Sequence, residues 1–333
     1  MLDLHRLRLL KEFADRGTIV ATAAALGYTP SAVSQQLSTL ERETAATLLD
    51  RAARSVELTD AGRRLAVHAE IILAQVEAAE AEISAQEREP SGRVTVTAFP
   101  SAAVAFAPGL ARSLRAHPGL TLLLQQTQHG EGLRRLRSGE VDVALVDDWM
   151  GSLPDHEPPM LRFHLLVRDP LVLIVPRTHA LADPAVPVDL RRLRETSRWL
   201  AAPVGEPSRQ AVDRLLESAG GAPAVPWEFE GLGTISSLVA RGIGVAAVPR
   251  LTLAAGERRV VVRELPGPVP ARDVYAVVRA ASVRRPSVVV VLTALAAGAK
   301  TLAGRGVPGA NAPAGGAVPA VKGIRPEVSA PGA

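Results

Sequence analysis

Four side chains in the stretch "LGYTPSAVSQQLSTLE", residues 26–41, have the chemistry of reading a surface by hydrogen bonds. Ser31, Ser34, Gln35 and Ser38 stand where a solvated helix face usually carries lysine, glutamate and arginine. Short hydroxyls let a helix backbone come close to its target, and a glutamine amide can make a paired contact with adenine in the major groove of DNA. The plain alternative is an amphipathic helix with a bland polar face, and these residues alone leave both readings open. The chain offers little other chemistry. With no cysteine there is no disulfide, thiolate zinc site or thiol nucleophile. The seven histidines, at 5, 68, 117, 129, 156, 164 and 179, are scattered, and no HxxxH, GxSxG or phosphate-binding loop is present. Asp147-Asp148 at a strand end reads as a turn rather than a metal site. No catalytic residue, metal site or cofactor is expected.

The elements that must position the polar face follow from local signals. Residues 4–16 are predicted helical, with Leu4, Leu7, Leu10, Phe13 and Ala14 on one face. Gly17 ends that helix, and Thr18 caps a second over 19–26. Gly27 suits a left-handed closing turn, and Thr29 then Pro30 are a favoured N-cap and first residue for a third helix over 30–43. On that helix Val33, Leu37 and Leu40 should be buried, and Ser31, Gln35, Ser38 and Arg42 lie opposite. Helix, short glycine turn, helix is the helix-turn-helix plan, whose second helix enters the major groove. Downstream, "LLDRAARSVELTDAG" at 48–62 carries Arg51 and Arg54 before a short alternation at 56–58, which predicts a β-wing with arginines set for phosphate or minor groove. Arg51 has a second reading, as a brace between wing and helices.

Thr59 is expected to cap a long helix reaching to about residue 87. Its Leu65, Ala69, Ile72, Val76, Ala79 and Ile83 are spaced 4, 3, 4, 3, 4, a heptad seam. Paired across two chains, it makes a dimer that reads two half-sites; packed on its own domain, it makes none. "EPSGR" at 89–93 breaks the helix. Beyond it strands and helices alternate over about 200 residues, which predicts parallel α/β layers and room for two subdomains with a cleft. From residue 303 the composition is Ala, Gly, Pro and Val, expected to be a disordered tail over 303–333.

Charge adds little. The net is +4, yet residues 1–60 hold seven Lys/Arg against eight Asp/Glu. No signal-peptide run and no membrane-length apolar run stands out, so a cytoplasmic protein with no membrane partner is expected.

Taken together, "AAALGYTPSAVSQQLSTLE", "LLDRAARSVELTDAG", "LRSGEVDVALV", "DPLVLIVPRTHALA" and "LVARGIGVAAVP" resemble the LysR-type transcriptional regulators over about residues 2–299. Gln35, where the family often has arginine, and Leu48-Leu49, where "LF" is usual, depart from the pattern. The resemblance implies a fold of the α plus α/β class. A winged helix-turn-helix would occupy 1–60 and a linker dimerisation helix 61–88. An effector domain similar to type 2 periplasmic binding proteins would occupy 93–300, with subdomain I at about 93–167 and 270–300 and subdomain II at about 168–269. Its implied partners are operator DNA with dyad-related half-sites, a small-molecule effector, RNA polymerase, and further copies of itself as dimer or tetramer. For DNA the candidates are Thr18, Thr29, Pro30, Ser31, Ser34, Gln35, Ser38, Arg51 and Arg54. For the effector, family logic points to Pro100, Ser101 and Ala102 after the first strand, Gln128 and His129 after the second, and Pro203, Val204, Gly205, Gly233 and Thr234 across the cleft. A helix start at Ser101 favours an anionic effector, although Ser101 and Thr234 also suit plain helix caps. A small-molecule receptor without DNA-directed activity would explain only the second half of the chain.

Overall fold

The computed structural model describes residues 1–304 apart from 52–55, 85–88, 129, 152, 154–159, 218, 222–226 and 256–258. Arg54, His129 and the tail from 305 lie outside the described residues.

The N-terminal head follows its punctuation. Helices α1 (Leu4–Arg16), α2 (Ile19–Leu26) and α3 (Pro30–Thr44) begin at Asp3, Thr18 and Thr29, whose side chains accept the N–H groups of Arg6, Ala21 and Ala32. Each cap satisfies a backbone donor that has no partner within the helix. Gly17 and Gly27 close the first two helices at φ 73° and 71°, a region that costs glycine nothing. The hairpin β1 (Leu49–Arg51) and β2 (Val56–Leu58) follows, paired antiparallel. Thr59 then caps α4 (Asp60–Ser84), accepting from the Gly62 N–H at 3.0 Å.

Gly62 marks a close approach of helix to hairpin. A Cβ there would overlap the Leu48 carbonyl oxygen, which belongs to the backbone and cannot swing away. We expect Gly62→Val to destabilise the head by about 1–3 kcal/mol or more, as overpacking does. Thermal unfolding of the full chain checks this.

The head's core joins Leu7, Leu10 and Phe13 of α1 to Val33, Leu37 and Leu40 of α3 and to Leu48, Leu49, Ala66 and Ala69. Full burial of one such leucine contributes about 1.5–3 kcal/mol. One expectation needs correction. On α1, Leu4 is 43% exposed and Ala14 is exposed, while Leu9, Lys11 and Glu12 are buried. The reason is that α1 packs on α2, α3 and α4 and also meets the C-terminal half of the chain. On α4 the seam divides. Leu65, Ala69 and Ile72 belong to the head's own core, whereas Ala79 is exposed and Ile83 is 72% exposed. The exposed large apolar residues of α4 are Val67, Ile71 and Ile83.

The C-terminal half begins with β3 (Gly92–Ala98), α5 (Pro100–Arg115), β4 (Leu120–Gln126), α6 (Glu131–Arg137) and β5 (Val143–Asp148). The strand β6 (Leu161–Pro176) is 16 residues long. After it come α7 (Leu190–Thr196), β7 (Leu200–Ala201), α8 (Pro207–Glu217), β8 (Trp227–Glu228), α9 (Leu232–Ala240), β9 (Ala246–Pro249), β10 (Val260–Arg263), β11 (Ala271–Arg279) and α10 (Pro286–Ala303). The main sheet runs β10-β6-β11-β5-β3-β4, with β9 also on β6, and β7 pairs separately with β8.

Strands β3, β4 and β5 are parallel, as the alternation predicts. So are β7 and β8, but β11 lies antiparallel to β5 and β6, and β9 and β10 lie antiparallel to β6. The strand expected at 171–175 is the end of β6. Its first part pairs with β11 and its last six residues pair with β9 and β10. One strand thus passes from the first lobe into the second. α5 and α10 cover the first lobe, where Phe106, Val291, Leu292 and Leu295 are buried together. Among the described helices only α10 is long and apolar enough to cross a membrane, and those buried residues are core. The second lobe is built around Trp199, Leu173, Val175 and Leu216 on one side and Ile174, Ile235 and Val239 on the other.

Head and first lobe touch within the chain. Arg16 of α1 bonds both Glu12, at 2.9 Å, and Glu140, in the loop after α6. Lys11 donates to the Arg137 carbonyl at 2.8 Å, and Arg279 of β11 grips the Glu77 carboxylate of α4 at 2.6–2.9 Å. Burial opposes ionisation of Glu140, but Ser138 and Arg16 outweigh it and hold its carboxyl below the usual range.

Candidate functional site

Helix α3 presents its polar face outward. Pro30, Ser31 and Gln35 are exposed and Ser34 and Ser38 half-buried, while Val33, Leu37 and Leu40 turn inward. The face carries its own small network. Thr29 and Ser31 share a hydroxyl contact at 3.0 Å, and Ser38 Oγ accepts from Arg51 at 2.9 Å. Arg51 also pairs with Glu41 at 3.1 Å, whose other oxygen accepts the N–H groups of Leu48 and Leu49 at 2.9 and 3.0 Å. The wing is therefore tied to α3 through Arg51, the bracing role named above. Thr18 sits exposed at the start of α2 with its N–H neighbours.

The second site is a cavity of about 270 Å³ at the carboxyl ends of β4 and β5. Its lining includes Phe99, Thr127, Gln128, Leu133, Asp147 and Trp149 from the first lobe and Pro207 and Gln210 from α8 of the second. Beside it lies Arg272 of β11, only 2% exposed. Its guanidinium donates to Asp169 at 2.9 Å, to Asp147 at 3.0 Å and to Ser101 Oγ at 2.7 Å. It also stacks on Phe99 and Trp149, 4.7 and 5.5 Å from the ring centroids. Asp169 is fully buried; burial pushes its carboxyl up, against the pull of Arg272.

The predicted effector residues scatter relative to this cavity. Ser101 is not the cap of α5: Phe99 holds that position, and Ser101 is the second helical residue with its hydroxyl engaged by Arg272. Thr234 is not a cap either, because α9 starts at Leu232 with Gly231 before it. Gly233 and Thr234 are exposed, as are Val204 and Gly205, and none is among the described lining; Pro203 is half-buried and Pro100 exposed. Ala102 is buried in the first lobe's core. Gln128 does line the cavity.

Residues 4–63 match the bacterial regulatory helix-turn-helix protein of the lysR family, and residues 87–300 match the LysR substrate binding domain. The chain belongs to the LysR family of transcriptional regulators. As a LysR-family regulator it binds DNA through the head, takes a small-molecule effector in its C-terminal domain, and assembles into oligomers. One relative is the transcriptional dual regulator GltC of Bacillus subtilis, 27% identical over 79% of this chain and 85% of the relative. Another is the probable hydrogen peroxide-inducible genes activator of Streptomyces viridosporus, 28% identical over 85% and 89%. CfxR of Cupriavidus necator is 30% identical over 76% and 77%. Full-length OxyR from Pseudomonas aeruginosa shares the fold at TM-score 0.64 and 21% identity, covering 89% of this chain and 95% of that one. CbnR complexed with its target DNA shares it at 0.51 and 20%, covering 90% and 100%.

Within this LysR-family chain, sequence reasoning missed Phe99, Thr127, Trp149, Asp169, Pro207, Gln210 and Arg272. One signal was available. "ARDVYAVVR" places an arginine and an aspartate at the start of an otherwise apolar strand, and "RDPLVLIVP" does the same. A charge entering a buried strand needs a partner. The turn reading of Asp147-Asp148 holds for Asp148, which accepts the N–H groups of Met150, Gly151 and Leu153 at 2.7–3.0 Å. Asp147 instead faces Arg272.

Proposed function

We propose that α3 reads operator bases with Ser31, Ser34, Gln35 and Ser38, with Thr29 and Pro30 leading the helix into the groove and Thr18 at phosphate. The outward-facing run of hydroxyl and amide side chains on α3, beside an arginine-tied wing, carries the reading. Arg51 and Arg54 flank that helix in sequence, and Arg51 reaches Ser38 directly. A dimer would present two heads to dyad-related half-sites. The effector site is the cavity between the lobes, and its occupant changes the spacing of the heads by binding one arrangement better than another. The chain acts by binding rather than by catalysis, in the cytoplasm beside its DNA, with RNA polymerase as the downstream partner.

Replacing Gln35 tests the groove assignment. Gln35→Ala should relax preference at one base step, at a cost of about 1–3 kcal/mol for the preferred base. Gel shifts across single-base variants of DNA upstream of the chain's own gene measure it. An unchanged preference profile would remove Gln35 from the groove.

A further inference from the structure

We propose that helix α6 relays occupancy of the cleft to the head, as a short strut with one end in the cavity wall and the other under α1 and α4. The inference rests on the cavity between the lobes being the effector site.

The two ends of α6 meet different partners. At the N-terminal end Gly132 and Leu133 line the cavity. Gly132 lies close on the sheet: a Cβ there would stand 3.4 Å from Thr97 Oγ1 and 3.5 Å from the Ala144 side chain. At the C-terminal end, residues 136–141 receive three ties to the head. Lys11 donates to the Arg137 carbonyl at 2.8 Å, one of the last carbonyls that a helix leaves without a partner. Arg16 bonds Glu140, which also accepts from Ser138 at 2.9 Å and from Arg135, in the last turn of α6, at 3.3 Å. Arg279 donates to the Leu136 and Val141 carbonyls at 2.7 and 2.6 Å while it holds Glu77 of α4. At about 1.5 Å per residue, the cavity wall and these contacts are roughly 10 Å apart along the helix.

The far contact is made of charges and carbonyls. None of the described apolar clusters spans head and lobe. Between them lies a cavity of about 760 Å³, lined by Leu4, Ile71 and Ala74 of the head and by Met160 and Leu161 of the lobe. A polar contact around such a void permits relative motion of the two parts. The strut itself is continuous with the contact. Leu136 is fully buried, and the N–H groups of residues 138–141 bond back to the Arg134, Arg135 and Leu136 carbonyls. A group entering at Gly132 and Leu133 therefore shifts α6 along its axis, and the shift arrives at Lys11, Arg16 and Glu77 together.

The test uses a tethered occupant. The chain has no cysteine, so Gln128→Cys places a single thiol in the cavity lining, just before α6. Alkylation of the full chain with monobromobimane then fills the space at that end of the helix. Hydrogen exchange of the bonded N–H groups at 138–141 should speed up about fivefold or more, the lower end of usual coupling between sites. Gln210→Cys, across the cavity on α8, repeats the test from the other wall. Arg134 is exposed and outside the described lining, and it checks the route. Arg134→Ala keeps the helix and should keep the response. Arg134→Gly adds a flexible point and should abolish the response at 138–141 while leaving that at 130–133. A response confined to the cavity wall would overturn the relay and leave the cleft as the effector site, since β11 also runs from Arg272 beside the cavity to Arg279. A response that survives Arg134→Gly would overturn the route through α6. Operator affinity tests the cleft separately: if alkylation speeds exchange at 138–141 but leaves that affinity unchanged, the relay stands and the effector assignment falls.

Discussion

Arg272→Ala should lower the stability of the chain by about 3–5 kcal/mol, the usual result of removing one partner of a buried ion pair. Asp169 has no exposed surface, so its charge would be left without compensation. It would keep one hydrogen bond, from the Leu251 N–H at 2.8 Å, which is too little for a full charge. The carboxyl would instead take up a proton. With its folded pKa then raised well above the unfolded one, the folded form binds the proton preferentially. The deficit should therefore shrink as pH falls from neutral and be largest at alkaline pH. Denaturant unfolding across pH measures this. A second substitution separates charge from packing: Arg272→Ala with Asp169→Asn should recover a good part of the loss. The consequence also reaches the cleft. Arg272 and Asp169 are register partners on β11 and β6, the strands that join the lobes, and Arg272 also holds Ser101 of α5 and Asp147 of β5. A loss below about 1 kcal/mol would show that water reaches Asp169 and that the pair does not hold β11 to β6.

Arg16→Ala should be nearly as costly, at about 3–5 kcal/mol, but for the head rather than the lobes. Glu12 is fully buried in α1 and has Arg16 as its ion-pair partner, with one carboxylate oxygen lacking any hydrogen bond. Removing Arg16 leaves that carboxylate in a core of leucines and also releases Glu140 of the first lobe. Glu12→Gln in the Arg16→Ala background should restore much of the stability of the head and none of the tie to Glu140. Unfolding followed by denaturant reads the first effect. Hydrogen exchange at α1 and at the loop after α6 reads the second. Faster exchange confined to the head, with 138–141 unchanged, would show that the contact between head and lobe contributes nothing.

Much of the head was legible because its signals are local. Thr18, Gly17, Gly27, Thr29 and Pro30 act on backbone groups within four residues, so type and order are enough to place α2 and α3. The period of Val33, Leu37 and Leu40 likewise assigns one face to the core wherever the helix packs. The heptad on α4 shows where such reasoning stops. Spacing defines an apolar stripe, but Leu65, Ala69 and Ile72 face α1 of the same chain while Ile83 faces outward, and spacing is the same in both cases.

By itself, then, the sequence determined the helices of the head, the alternation of the second half and the family, all of which rest on short-range chemistry and on motifs read in order. Only the tertiary structure decided the strand directions in the second lobe, because β6 continues through both lobes and antiparallel partners reach it from residues 246–279. It also decided the character of the cleft. In the sequence Ser101 stands only at a helix start, with its surroundings unknown. Arg272 arrives from 171 positions along the chain, engages Asp169 and Asp147 as well as Ser101, and sets that helix start beside a cavity lined by Phe99 and Trp149. Electrostatics depends on distance in space, and sequence separation carries no information about it.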